Sequence, residues 1–201
     1  MQGLTHFENP IQTARPPAHS RLRDATRAAH ARAESVPVLA SLLSGNIDAE
    51  RYGAMLASLA ALFERWEAAH WRFLTEDVPR AGWRYASRYA SLVADLEDLG
   101  HAERRRTTGA PLHARGAERW GMLYVVEGAA LGGRVLAESA RRAMAGHAPT
   151  RYLDIAGTRE RTWRDCCAML DRVLAGPHAV AAAIGGAERM FAAYELALRD
   201  A

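Results

Sequence analysis

The amino-acid sequence predicts an all-α fold, a single-domain multi-helix bundle. Apolar residues recur at intervals of three and four through several long segments, which is the spacing of one helix face. Glycine, proline and capping residues separate these segments, and no alternating apolar run or hairpin turn indicates a β-strand. At 201 residues and 49% hydrophobic, the chain is long enough to bury one substantial core.

The domain is predicted to begin after an N-terminal arm. Residues 1–18 hold three of the eight prolines and show little periodicity, so we expect a flexible arm there and a helical domain over residues 19–201. Ser20 is a favourable N-cap for the first helix, which should continue to Glu34. Small or apolar residues mark its buried face: Leu22, Ala25, Thr26, Ala29 and Ala33.

The later helices follow from the same spacing and from their boundary residues. A short helix should run over residues 37–44, capped by Ser35 and ended by Gly45. Asp48 should then cap a long core helix that ends near Thr75. The remaining helices are predicted over residues 85–99, 117–145, 158–175 and 179–201.

Composition argues against several classes of partner. All 26 basic residues are arginine, the formal net charge is only +3, and acidic residues are interleaved with the arginines, so nucleic-acid binding is not expected. No uncharged apolar stretch is long enough to span a membrane, and the first residues lack the apolar centre of a signal peptide. We therefore expect a cytoplasmic protein without a membrane partner. Arginine does suit the capture of carboxylates or phosphates, which leaves an anionic small ligand open.

Cys166 and Cys167 are predicted to be ordinary helix residues. Neighbouring side chains on a helix diverge by about 100°, which suits neither a disulfide nor a shared metal ion.

His30 is the first candidate ligand. On a helical wheel it lies at the edge of the small-residue face, beside Arg23 and Arg27. Heme needs a neutral imidazole on iron, an apolar slot for the macrocycle and cations near its two propionates. A boundary histidine on an amphipathic helix would give the same spacing, so His30 alone does not decide between the two interpretations.

A glycine-rich segment in the 117–145 helix is the second candidate. Gly128, Gly132 and Gly133 together cost about 2 to 3 kcal/mol in helix propensity relative to alanine. Gly128 and Gly132 share a face, with Ala129 beside them, so a planar ligand could approach the backbone closely, and the helix is expected to bend there. Close packing between helices is the alternative, and it is the role we expect for Gly185 and Gly186 in the last helix.

Taken together, the two segments resemble the heme oxygenase family. Residues 22–34 (LRDATRAAHARAE) are similar to the family's first-helix signature, Leu-basic-x-Ala-Thr-x-x-x-His-x-x-x-Glu, in which the histidine is the proximal ligand. Residues 124–136 (YVVEGAALGGRVL) resemble its distal helix, in the bacterial form Tyr-Val-x-Glu-Gly-x-x-Leu-Gly. The motifs occur in the family's order, about a hundred residues apart, on a chain whose length and helix pattern fit the whole domain.

The resemblance implies that heme is both cofactor and substrate, with His30 as the iron ligand. It implies cleavage by O2 and electrons from an NADPH- or ferredoxin-linked reductase, giving biliverdin, carbon monoxide and ferrous iron. A biliverdin-using photoreceptor is a candidate partner. The catalytic wall would comprise Gly128, Ala129, Gly132 and Gly133, and the propionate partners would be Arg23, Tyr124, Arg27 and Arg164.

One departure from the family pattern leaves alternatives open. Many members carry an aspartate where this chain has Ala129, which cannot hold a water network. A heme-binding sensor or carrier without catalysis is therefore the second hypothesis, and a helical bundle that binds no heme is the third. Glu127 points about 100° away from Gly128 and is expected to bond elsewhere. If His30 is not the ligand, His70 is the next candidate, because it lies on an apolar stripe.

Overall fold

The structure is a computed structural model that describes residues 16–104, 112–155, 162–199 and 201. All regular secondary structure within these ranges is helical, which confirms the predicted fold class. Residues 1–15 of the predicted arm, the start of the helix predicted over 158–175 and part of the loop before residue 117 lie outside the described residues. The principal α-helices are α1 (Ala18–Glu34), α2 (Pro37–Leu43), α3 (Ala49–Arg72), α4 (Val78–Arg80), α5 (Arg88–Asp98), α6 (Glu118–Ala143), α7 (Trp163–Val173) and α8 (Pro177–Arg199).

Several predicted helix ends are wrong by a few residues. Helix α1 begins at Ala18, so Pro17 takes the capping position and Ser20 lies within the first turn. Ser35 ends α1, where its hydroxyl donates to the Arg32 carbonyl, and does not cap α2. Helix α5 begins three residues later than Tyr85 because the Ser87 side chain accepts the backbone N–H of Ala90. Asp48 caps α3 as predicted, accepting the N–H of Arg51 at 2.8 Å.

Helix α3 ends earlier than Thr75 because its backbone leaves the α conformation at His70, where φ is −127° and ψ is 21°. A five-residue π-helical turn, Phe73–Asp77, follows and continues into α4. Such π turns widen the helix by one residue per turn and are common near functional or strained positions. Nothing in the spacing of the apolar residues signals this change of helix type.

Helices α6 and α8 form the most extensive helix pair of the core, and glycines allow their close approach. A Cβ at Gly121 would collide with the Ala183 carbonyl oxygen, and a Cβ at Gly186 would collide with the Glu118 carbonyl oxygen. Gly186 therefore has the packing role predicted for it. Gly185 does not share that role, since a Cβ added there would meet no neighbouring atom within 4 Å.

The glycine-rich segment does not interrupt α6. The helix runs without a break from Glu118 to Ala143 through Gly128, Gly132 and Gly133. Tertiary packing offsets the low helix propensity of these glycines. Gly133 supplies part of that packing, because its α-carbon lies against the carbonyl of Leu153, in the turn that follows α6.

Two further predictions from the sequence concern the cysteines and membrane-spanning helices. Both Cys166 and Cys167 are buried helix residues of α7, as expected. A search of the described residues finds no helix that is long and apolar enough to cross a membrane.

Candidate functional site

The two candidate segments lie on helices that share the same two neighbours. Helices α1 and α6 each pack against α7 and α8, yet the described parts of α1 and α6 make little direct contact with each other. We refer to the region between α1 and α6, beside α7 and α8, as the gap. Both segments border this region, although they lie about a hundred residues apart in the chain.

His30 lies on the α1 side of the gap with its ring oriented by two neighbours. Its Nδ1 is 3.2 Å from Oε2 of Glu34, one turn later, and 56% of its side chain is exposed. The ring of Phe191, on α8, meets it edge to face with the centroids 5.6 Å apart. A carboxylate beside Nδ1 favours the imidazole tautomer that carries its proton on Nδ1, which leaves the Nε2 lone pair available to a metal.

Glu34 belongs to the first-helix signature but was not predicted to be a site residue. The signal was available, since a carboxylate four residues after a histidine lies on the same helix face.

The α6 side of the gap is an uncovered apolar strip. Gly128, Leu131, Gly132 and Val135 lie on one face of the helix, and Leu131 and Val135 are 55% and 58% exposed. Apart from its own helix neighbours, no atom of the described residues lies within 4 Å of the position a Cβ would take at Gly132. Large apolar side chains exposed together on a helix are a common feature of binding surfaces. The strip thus offers a flat, apolar surface with direct access to the backbone.

Tyr124 and Arg23 belong to opposite walls of the gap and interact electrostatically. Tyr124 lies one turn before Gly128 on α6 and is largely buried. Burial raises its pKa, the nearby Cys167 raises it further, and the Arg23 guanidinium opposes this rise. Arg23, on α1, is therefore within electrostatic range of Tyr124, on α6. These two predicted propionate partners belong to opposite sides of the gap.

The other predicted cations are less closely grouped. Arg27 is exposed and donates to the Asp24 carboxylate, with Nη2 and Oδ1 3.0 Å apart. Arg164 is exposed on the first turn of α7. Both side chains are long enough to rearrange around an anionic group, but neither is held in a fixed position by a buried contact.

Trp163, the first residue of α7, is a wall residue that the sequence analysis missed. The end of its six-membered ring would be 3.4 Å from a Cβ at Gly128, and its ring centroid is 5.5 Å from that of Tyr124. Residues 158–175 were predicted as one helix, which placed Trp163 in the helix interior without a distinguishing signal. In the structure it is half-buried and overlies the Tyr124 end of the strip.

Ala129 and Gly133 differ from the other two members of the predicted catalytic wall. Ala129 is exposed, and its methyl side chain cannot accept or donate a hydrogen bond. Gly133 is buried against the Leu153 carbonyl, so its small size is required by packing between α6 and the turn that follows it. Gly128 and Gly132 are the wall glycines that face the gap.

Glu127 forms a buried ion pair with a residue of another helix. This agrees with the prediction that its side chain points away from Gly128 and bonds elsewhere. Its Oε2 is 3.1 Å from Nη2 of Arg88, on α5, and the two side chains are 0% and 1% exposed. Burial alone would lower the pKa of Arg88, but the Glu127 carboxylate and the nearby tyrosines together outweigh it, and the pKa is raised. Arg88 also donates to the Val126 carbonyl. No sequence pattern indicated this partner, which lies 39 residues earlier in the chain.

His70, the alternative ligand, has a structural role. Its Nε2 donates to the Leu112 carbonyl at 2.8 Å, and its ring lies against Trp66 with the centroids 4.3 Å apart. Burial lowers the pKa of His70, and the positive charge of Arg119 adds to this effect. The ring nitrogen that donates here is not free to bind a metal.

Comparisons with known proteins identify the family of this chain. A family model described as heme oxygenase matches residues 17–200. A curated heme oxygenase from Xanthomonas campestris pv. campestris is 35% identical over 162 residues, a match that covers 80% of this chain and 96% of that protein.

Solved structures of heme oxygenases share the fold. The NO- and CO-bound heme oxygenase from Neisseria meningitidis is 26% identical, with a TM-score of 0.68 and coverage of 91% of this chain and 90% of that chain. The heme oxygenase from Leptospira interrogans has a TM-score of 0.73 at 16% identity, covering 92% of this chain and all of that one, and on its own it shows the fold alone. With the family model and the curated relative, these findings establish that the chain belongs to the heme oxygenase family, whose function is the oxidative cleavage of heme.

Proposed function

We propose that this chain cleaves heme in the gap between α1 and α6, with Nε2 of His30 as the axial iron ligand. The observation that carries the proposal is the His30–Glu34 pair, which orients an accessible imidazole beside the gap. Metal-bound histidines commonly donate their second ring N–H to a carboxylate in this way, because the contact fixes the tautomer and makes the ligand more basic. No cluster of three or more metal-binding side chains exists among the described residues, and an axial heme ligand needs none.

The residues that border the gap fit the shape and charge of heme. The strip of Gly128, Leu131, Gly132 and Val135 matches an apolar macrocycle, and burying its exposed apolar area would favour binding. At one end, Arg23 and the Tyr124 hydroxyl can bind a propionate. Arg27 and Arg164 are the proposed additional propionate partners.

Bound heme would supply both the iron that activates O2 and the porphyrin carbon that is oxidised. The chain would contribute position and shape: His30 would hold the iron, and the lack of side chains at Gly128 and Gly132 would let the macrocycle approach the α6 backbone beside the Trp163 indole. Ala129 supplies no carboxylate, so protons must reach the site through water or through groups other than this side chain. Electrons are proposed to come from an NADPH- or ferredoxin-linked reductase, with biliverdin passed to a photoreceptor or released.

A single-turnover experiment tests the proposed activity. The ferric heme complex is mixed with a reductant and O2, and we expect the Soret band to decay while biliverdin, carbon monoxide and free ferrous iron form in equal amounts. Persistence of the heme band without these products would overturn the proposal. Product chromatography in the same experiment identifies the biliverdin isomer.

Substitution of the ligand tests the assignment of His30. His30→Ala should alter the ferric heme spectrum and abolish turnover, because the iron loses its protein ligand, and added imidazole should restore the original spectrum. His147→Ala is the matched control, since His147 is exposed after the end of α6 and should leave both properties unchanged. An unchanged spectrum in His30→Ala would assign the ligand to another residue.

Ala129 favours a second candidate function, a heme-binding sensor or carrier without catalysis. Under this alternative the protein would form a stable oxygenated heme complex that persists in the presence of the reductant. The single-turnover experiment distinguishes the two candidates directly, because only the enzyme yields biliverdin.

A further inference from the structure

We propose that Trp163 determines how heme is rotated in its own plane, and therefore which meso carbon is cleaved. This inference rests on the proposed function, because it assumes that heme occupies the gap between α1 and α6. Trp163 belongs to α7 and lies outside both candidate motifs.

Trp163 covers the Tyr124 end of the apolar strip. The six-membered part of its indole lies in van der Waals range of a Cβ at Gly128, and the same indole meets the Tyr124 ring. Among the described residues, none outside its own helix neighbours has an atom within 4 Å of the Cβ position of Gly132, one turn further along α6. A flat ligand that lies on the strip therefore meets the indole at the Tyr124 end and no comparable wall from the described residues at the Gly132 end.

Hydrogen bonds of helix α7 position the backbone that carries Trp163. At its start, the Asp165 carboxylate accepts the Thr162 N–H at 2.8 Å, which fixes the backbone next to Trp163. Two turns later, Asp171 accepts the backbone N–H of His19 at 2.9 Å and contacts the His19 ring at 2.8 Å, which ties α7 to the first turn of α1. An indole at this position can act as a rigid stop.

A stop on one side of the gap matters because a porphyrin is nearly fourfold symmetric. Its four meso edges would fit an unconstrained slot almost equally well, and only the propionates and asymmetric contacts distinguish them. The exposed arginines Arg23 and Arg27 can follow a propionate through a range of positions, since neither is held by a buried contact. The indole is bulkier and packs against the Tyr124 ring and Gly128, so it should exclude the orientations that place a pyrrole edge over Gly128.

Proton NMR of the cyanide-bound ferric complex tests this directly, without turnover. The probe is a hemin with twofold symmetry about its α–γ axis, 2,4-dimethyldeuterohemin, so that insertion of either face gives the same spectrum. The order and spread of the heme methyl shifts then report rotation in the plane. The protein with Trp163 should give one set of resonances, whereas Trp163→Ala should give a different methyl order or two sets of comparable intensity.

The cleavage products provide the second readout. With natural heme, Trp163→Ala should convert a single biliverdin isomer into a mixture, while Trp163→Phe, which keeps an aromatic wall, should retain the original isomer as the main product. Trp71→Ala is the matched control, because Trp71 is 56% exposed on α3 and should change neither the methyl order nor the isomer. Far-ultraviolet circular dichroism verifies that each variant is folded, and Trp163→Leu replaces the alanine variant if that one is not.

The outcomes separate failure of this inference from failure of the proposed function. If Trp163→Ala binds the symmetric hemin with an unchanged methyl order and yields the same isomer, Trp163 does not set the orientation and the inference is overturned. If the unsubstituted protein gives no heme resonances at all, heme does not occupy the gap, and the proposed function fails together with the inference.

Discussion

The chemistry of His30 depends on its immediate neighbours. A histidine on a half-exposed helix face has no intrinsic preference for iron, but this one has the Glu34 carboxylate beside Nδ1 and the Phe191 ring against its edge. Glu34 could be recognised from its i, i+4 spacing, whereas Phe191 lies 161 residues away in the chain and has no local signal. Sequence patterns thus identified the candidate ligand and could have identified one of the groups that orient it, and the fold supplied the other.

His70 makes a prediction about pH and stability. Because burial lowers its pKa in the folded state, the unfolded chain binds a proton there more readily, and stability is lost as the pH falls below about 6.5, the usual histidine value. His70→Gln should flatten this dependence, since a glutamine amide can also donate to the Leu112 carbonyl but does not titrate. Urea unfolding of the heme-free protein at pH values about one unit either side of that pKa measures the slope, and an unchanged slope would assign the effect to other groups.

At the level of elements, the sequence predicted that the helices exist, but it did not predict several of their ends or the π-helical turn after α3. Boundary signals compete at close range: Ser20 is a good cap, yet Pro17, with its fixed φ, starts α1 earlier. The π turn after α3 and the uninterrupted course of α6 depend on contacts between helices. Glycine content alone predicted a weak point in α6, and packing of Gly121 on α8 and of Gly133 on the Leu153 carbonyl offsets it.

Adjacent glycines in α8 provide a matched test of element packing. Gly186→Ala should destabilise the protein by about 1 to 3 kcal/mol, because its new methyl group would press on the Glu118 carbonyl and separate α8 from α6. Gly185→Ala has open space and should be neutral or stabilising by up to about 1 kcal/mol, since alanine is the better helix former. Chemical denaturation of the two heme-free variants compares them, and equal effects would contradict this account of the α6–α8 crossing.

For the whole molecule, a buried polar network connects the heme wall to helices far from it in sequence. Glu67 on α3 accepts the Tyr85 hydroxyl and the Arg88 backbone N–H, each within 2.8 Å, and Arg88 in turn pairs with Glu127 on α6. The apolar pattern predicted that these helices would pack together. It could not predict which charges meet inside the core, because buried pairs depend on the relative rotation of separate helices.

The Arg88–Glu127 pair should therefore determine both global stability and the position of the distal wall. Removing one partner strands a buried charge, so Arg88→Met and Glu127→Leu should each cost about 3 to 5 kcal/mol in the heme-free protein. The double variant should be less destabilised than the sum of the two, because it leaves neither charge uncompensated. Urea unfolding of all four proteins completes the cycle, and additive effects would show that the charges do not depend on each other. If the double variant folds, a shifted Soret maximum in its heme complex would further indicate that Gly128, adjacent to Glu127, has moved relative to His30.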